Sequence, residues 1–158
     1  MSSFSITDVS NSNDRYKLFV LECLPKEFSE IIINLGDKNI PILNIGKELA
    51  LYLDKLEDYR YLTIDAYDYI IKLLEKGKTK INQTGNEVIA IYNLGVLFEP
   101  TLQINTSKLL KDFSKSTAVI IIWENIVTNL DLLTWETQKD QYNIDFSDTP
   151  LKRIQYAI

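Results

Sequence analysis

The chain has no histidine among its 158 residues, and that absence removes more chemistry than any motif supplies. Ser-His and Cys-His nucleophile pairs cannot be built, and neither can a histidine-ligated metal site. There is a single cysteine, Cys23, so no disulfide can form within the chain, which suits a reducing compartment. Cys23 lies in an apolar stretch with no histidine to activate it, and it reads as an inert core thiol. Lys and Arg are outnumbered 17 to 22 by Asp and Glu, for a net charge of −5. No long basic cluster appears, and phosphate-backbone binding draws on such clusters, so nucleic acid is disfavoured as a partner. No apolar run approaches the roughly 20 residues that a membrane-crossing helix needs, so no membrane is expected. The opening MSSFSITDVSNSND lacks the basic start and apolar core of a signal peptide. Its polarity predicts a flexible leader over residues 1–14, and the chain as a whole is expected in the cytoplasm.

What is present is ordinary for a globular protein, with 46% apolar and 25% charged residues. That is enough for a single domain with a real core over residues 15–158. The stretch from Glu87 to Pro100, EVIAIYNLGVLFEP, organises the rest. Val88 to Tyr92 is unbroken apolar sequence between turn residues, the pattern of a strand buried on both faces of a parallel sheet. Tyr16–Leu24, Ile40–Ile45 and Ala118–Trp123 read as further strands, with Pro41 at the start of the second, where a missing donor does least harm. Helices are predicted over Phe28–Leu35 (stopped by Gly36), Glu48–Leu56, Ile64–Lys76 (capped by Thr63) and Thr106–Phe113. The β-branched Ile31-Ile32-Ile33 makes a strand a rival to the first of these. Lys78–Asn86 reads as a loop and Leu102–Ile104 as a brief extended piece. Asn129–Glu136 and Gln141–Phe146 look like a hairpin across Lys139-Asp140, and the tail from Asp148 reads as a short helix or an edge strand. The alternation predicts an α/β three-layer sandwich with a mostly parallel sheet, right-handed crossovers and antiparallel additions at the C-terminal edge.

Each constellation that could carry chemistry has a plainer reading. Gly77-Lys78-Thr79 spells the end of a phosphate-binding loop, but a helix precedes it and Lys72 stands where the loop's first glycine belongs. It reads as a helix stop. The turn after the first strand, Leu24-Pro25-Lys26-Glu27-Phe28-Ser29, is where a P-loop protein would hold phosphate. It contains no glycine to bring amides inward, and Glu27 would repel an anion. Lys26 and Ser29 are the only residues there that could be offered to a nucleotide. A P-loop ATPase also ends its central strand in a carboxylate that holds magnesium through water, and here the positions are Tyr92 and Asn93. Asn44 to Glu48 and Trp123-Glu124-Asn125 fall at strand ends, where ligands gather in open sheets. A helix cap explains the first and packing the second. Asp65, Asp68 and Glu99 lack convergent partners and read as solvated surface. No metal site and no cofactor are expected.

Residues 94–125, LGVLFEPTLQINTSKLLKDFSKSTAVIIIWEN, resemble the small P-loop protein family of bacteriophage-exclusion (BREX) systems, BrxF. Leu97-Phe98-Glu99-Pro100-Thr101-Leu102 is similar to that family's leucine-Phe-acidic-Pro-x-Leu turn, and Ser114-Lys115-Ser116 stands at its Ser-Arg-Asn turn. Leu43-Asn44-Ile45-Gly46 with Leu49 and Leu53 is similar to an upstream Asn-Leu segment, and Leu133-Thr134-Trp135 to a late Leu-Thr-Tyr strand. The resemblance implies a P-loop fold and a role in phage defence. The departures imply that the ATPase chemistry is gone: the Walker A glycines are missing between Leu24 and Ser29. The acidic positions fall on Tyr92 and Gly95, and Lys115 lacks the planar fork of the family's arginine. The expectation is a non-catalytic accessory subunit that binds a larger ATPase or nuclease subunit. Its surface tyrosines Tyr52, Tyr59, Tyr61, Tyr67 and Tyr69, together with Glu99, Lys115 and Glu124, are candidates for the contact. The alternatives are a nucleotide-binding switch or weak ATPase using an atypical loop around Lys26, and a nucleic-acid accessory protein.

Overall fold

A computed structural model describes residues 9, 14–80, 85–124, 129–136, 141–149 and 151–154, with backbone alone at 135, 136, 141 and 142. Its centre is a sheet of strands β1 (Leu18–Glu22), β2 (Ile42–Asn44), β3 (Thr79–Lys80), β4 (Glu87–Tyr92), β5 (Thr117–Trp123) and β8 (Lys152–Ile154), in the order β2-β4-β5-β1-β8. All neighbours on that path are parallel. The two residues of β3 pair antiparallel with the start of β4. β6 (Leu132–Glu136) and β7 (Gln141–Asp145) form a separate antiparallel pair; the turn expected at Lys139-Asp140 lies outside the described residues.

The apolar runs became strands because they can be buried on both sides. In β4 and β5 the alternate residues Ile89, Ile91, Val119 and Ile121 face one layer, and Val88, Ala90, Ala118 and Ile120 face the other, all at most 1% exposed. The first layer holds α2 (Ile45–Asp54), α3 (Leu62–Gly77), α4 (Thr106–Ser114) and the β6–β7 hairpin, through Leu49, Ile70, Leu110, Leu133 and Phe146. The second holds α1 (Phe28–Asp37), through Ile31 and Leu35. Val9, which falls within the expected leader, is helical and buried in this second layer. Truncating an interior isoleucine such as Ile120 to alanine would cost about 2–5 kcal/mol.

The chain leaves β1 through α1 on one face to reach β2 across the sheet. It returns from β2 to β4, then β5, then β8, with every connection on the opposite face. A reversal of direction with a reversal of face keeps one hand for all the parallel crossovers, as strand twist requires.

Local structure differs from expectation in several places: α2 spans Ile45–Asp54 instead of Glu48–Leu56, and Thr79–Lys80 form β3 inside the expected loop Lys78–Asn86. α1 runs past Gly36, and Asn39 (φ 59) takes the left-handed position instead. Asn39 N–H donates to Gly36 O at 3.0 Å and Ile40 N–H to Leu35 O at 3.0 Å. This is a Schellman closure, with Ile40 and Leu35 both in the core. α3 begins at Leu62, so Thr63 lies inside the helix and no side chain caps it. Pro100–Leu102 is a 3₁₀ turn, and no extended piece follows at Leu102–Ile104.

The predicted antiparallel additions at the C-terminal edge are also corrected. The last strand, β8, joins β1 in parallel, and the hairpin does not extend the sheet. Leu133, Ile144 and Phe146 are at most 2% exposed because the hairpin lies over a face of the sheet. It thereby acts as the crossover that a parallel strand needs.

Candidate functional site at the carboxyl edge of the sheet

In an open parallel sheet a ligand crevice forms where adjacent strands send their connections to opposite faces. Here that place lies between the carboxyl ends of β1 and β5, since β1 continues into α1 and β5 towards the hairpin. Cys23, Leu24 and the Pro25–Glu27 turn come from β1, and Trp123 and Glu124 from β5. Next along the edge are Tyr92 and Asn93 after β4, and Asn44 at the end of β2.

The crevice is closed by backbone and charged against anions. Cys23 N–H donates to Trp123 O at 2.8 Å, so pairing runs to the strand ends. Leu24 N–H, the amide at the mouth of the turn, donates to the Glu27 carboxylate at 3.2 Å, while Glu27 N–H returns to Leu24 O at 2.9 Å. An amide that could have met a phosphate oxygen is thus held by the protein's own anion. Burial, then the charges of Glu27 and Glu124, push the Cys23 thiol up to about 11. Two carboxylates therefore bear on this point from opposite walls. Lys26 and Ser29 are exposed on the turn and on the first turn of α1.

At the expected magnesium position the structure has an aromatic contact. The Tyr92 and Phe28 rings meet edge to face with centroids 5.0 Å apart. Beyond them, Asn93 takes a left-handed backbone (φ 60), and its side-chain amide donates to Asn44 Oδ1 at 2.8 Å. The same oxygen accepts from Lys47 N–H at 2.9 Å and caps α2. Gly46 is needed here because a Cβ would lie 2.6 Å from Asn93 O and 2.5 Å from its side-chain nitrogen. The glycine serves an approaching strand end.

The other expected residues are scattered. Lys115 lies at the opposite, amino edge, 3.5 Å from Asp112 and 5.7 Å from the centre of the Tyr16 ring. Lys78 of the Gly-Lys-Thr triplet bridges Glu75 and Glu87 at 2.8 and 2.5 Å. Glu99 is exposed at a groove of about 700 Å³ that also takes in Asn105, Lys111, Asp145 and Asp148. Lys111 is paired with Asp148 there at 2.6 Å. Glu124 is half-buried. Tyr59 and Tyr61 are exposed, while Tyr52, Tyr67 and Tyr69 pack against the core. Sequence reasoning named Glu27 as a repellent charge but missed its hold on Leu24, and it missed the Asn44–Asn93 bond, which joins residues 49 positions apart.

Among the described residues, no group of three or more Cys, Asp or Glu is placed to hold a metal ion, and no helix is long and apolar enough to cross a membrane. No protein-family model, curated protein or solved structure matches this chain.

Proposed function

We propose that this chain is a P-loop-like α/β domain that binds no nucleotide and acts as an accessory subunit of a bacterial phage-defence system, by binding a larger ATPase or nuclease subunit. The observation that carries the nucleotide half is the Glu27 carboxylate seated on the Leu24 amide. Phosphate binding needs open, inward-pointing amides and positive potential, and this turn offers a satisfied amide and a negative charge. The Tyr92–Phe28 contact supports it, since a ring pair stands where a carboxylate would hold magnesium. The defence setting rests on the resemblance carried by residues 94–125, and the binding role on tyrosines left exposed at the surface.

Titration calorimetry with ATP and magnesium tests the reading. No saturable heat is expected up to about millimolar ligand. A micromolar dissociation constant would overturn it in favour of a switch built around Lys26. Purification of the tagged chain from its native host, with mass spectrometry of co-eluting proteins, addresses the setting. Recovery of a defence ATPase or nuclease is expected, and its absence removes the accessory role.

A further inference from the structure

Six large apolar or aromatic side chains are notably exposed among the described residues, and three of them fall within six positions of one another: Tyr59 (59%), Tyr61 (61%) and Ile64 (61%). They occupy the elbow between α2 and α3. A mobile connection could expose such residues by default, but this one is fastened. The Asp58 carboxylate accepts from the Arg60 backbone N–H at 2.9 Å and from its guanidinium at 2.9 and 3.1 Å. Leu62 N–H donates to Tyr59 O at 3.3 Å, and Asp65 N–H to Tyr61 O at 2.8 Å. Behind the elbow Tyr52 of α2 and Tyr69 of α3 stack with centroids 4.0 Å apart and planes 7° apart, which fixes the two helices against each other. The side chains are therefore presented in a set geometry, which lowers the ordering cost of binding.

A groove of about 290 Å³ lies between the elbow and the Thr101–Gln103 turn. Gln103 holds a left-handed backbone (φ 51) there. Tyrosine and arginine in a rigid patch beside a groove is the composition of an interface anchor. The charge around it is one-sided. From residue 54 to residue 68 the chain carries Asp54, Glu57, Asp58, Asp65 and Asp68 against Lys55 and Arg60. The single Arg60 is already engaged by Asp58 at 2.7 Å. The Tyr52 hydroxyl feels the result: burial first, then Asp65, Tyr69 and Asp68 raise it above the ordinary tyrosine value.

We infer that the α2–α3 elbow is the docking face of this protein, and that its partner presents a Lys- or Arg-rich segment with an apolar anchor. The aromatic patch takes the anchor, and the acidic rim takes the charges. Anionic partners, nucleic acid among them, meet repulsion here. The inference rests on the protein-binding half of the proposed function and is independent of the nucleotide half.

The test uses the full chain and two dye-labelled 18-residue helical peptides, one of repeating Lys and Leu and one of Glu and Leu. Fluorescence anisotropy is read at 50 and 200 mM salt. The cationic peptide is expected to bind at least tenfold tighter than the acidic one, and to weaken as salt rises. Tyr61→Ala with Ile64→Ala is expected to lose tenfold or more of that affinity, and Asp65→Asn with Asp68→Asn to flatten the salt dependence. Glu30→Gln, exposed on α1 in the other layer, should change neither. Tyr61, Ile64 and Asp68 are exposed and Asp65 is half-buried, and unchanged circular dichroism melting checks that the variants fold. Equal binding of the two peptides, or no effect of the elbow variants, overturns the inference. So does salt-sensitive self-association in sedimentation velocity that disappears with Tyr61→Ala, which would make a second copy the occupant. ATP binding in the separate titration would remove the nucleotide reading and leave this one standing.

Discussion

The chain turns from strand into helix on the same edge of the sheet after β1 and again after β2, and it builds the two turns from different parts. After β1 there is no glycine, and the turn closes on its own Glu27 carboxylate with Pro25 leading the 3₁₀ segment. After β2 there is a glycine, a side-chain cap from Asn44 and a cross-strand bond from Asn93. The first turn is self-contained and carries charge; the second is neutral and tied to its neighbour β4. In each turn one backbone amide is taken by a side-chain oxygen, Leu24 by Glu27 and Lys47 by Asn44. The comparison teaches that glycine at a strand end marks close approach, and that the approaching group here is Asn93.

The difference can be tested by breaking each turn in its own way. Gly46→Ala should do the most damage. The added methyl overpacks against Asn93 backbone at a cost of about 1–3 kcal/mol, which outweighs a helix-propensity gain of at most about 1 kcal/mol. A lower urea midpoint at constant slope is the expected readout. Asn44→Ala comes next, at about 1 kcal/mol for the lost cap, and it should cost less when Asn93→Ala is already present, because only the cap on Lys47 is then left to lose.

Glu27→Gln should be the mildest, at roughly 0.5–1 kcal/mol in the same measurement. It should also lower the Cys23 titration from about 11, seen as thiolate absorbance or alkylation rate against pH. The value should stay above 9.0, because burial is the first cause of the shift and the glutamate charge the second. The sign follows from linkage. A thiol whose folded value is raised holds its proton more tightly when folded, so stability is full below the unfolded value of 9.0 and falls as pH rises towards about 11. The thiol's share of the slope is at most about 1.4 kcal/mol per pH unit, and Cys23→Ala should remove that share while the part due to the raised Tyr52 hydroxyl stays.

Most of the architecture was legible because the sequence separates its periods cleanly. EVIAIY and TAVIIIW have no polar interruption and are bounded by turn residues, so they could only be interior strands. Leu62–Gly77 repeats Ala66, Ile70 and Leu74 every four residues, so it could only be an amphipathic helix. What could not be read was anything decided by pairing at a distance. The direction of β8 depends on whether the hairpin crosses a face of the sheet or extends its edge, and the sequence of β6 and β7 suits either arrangement. The stop of α1 at Asn39 depends on a left-handed residue that asparagine tolerates, and Gly36 three residues earlier was the more obvious candidate. At the carboxyl edge, the absence of glycines and the charge of Glu27 were visible in the chain. The bond from Leu24 to Glu27 was not, because a carboxylate three residues on can as easily face solvent.

The hydrogen bond from Cys23 to Trp123 has an evolutionary consequence. Between the last residue of β1 and the first of α1 the backbone has only residues 23–27 to spend, and the sheet ladder and the 3₁₀ turn already use them. Converting side chains one at a time therefore has no route to an anion-gripping hairpin; several new residues would have to be inserted. For this turn, the gain of a phosphate-binding loop is a question of chain length before it is one of residue identity.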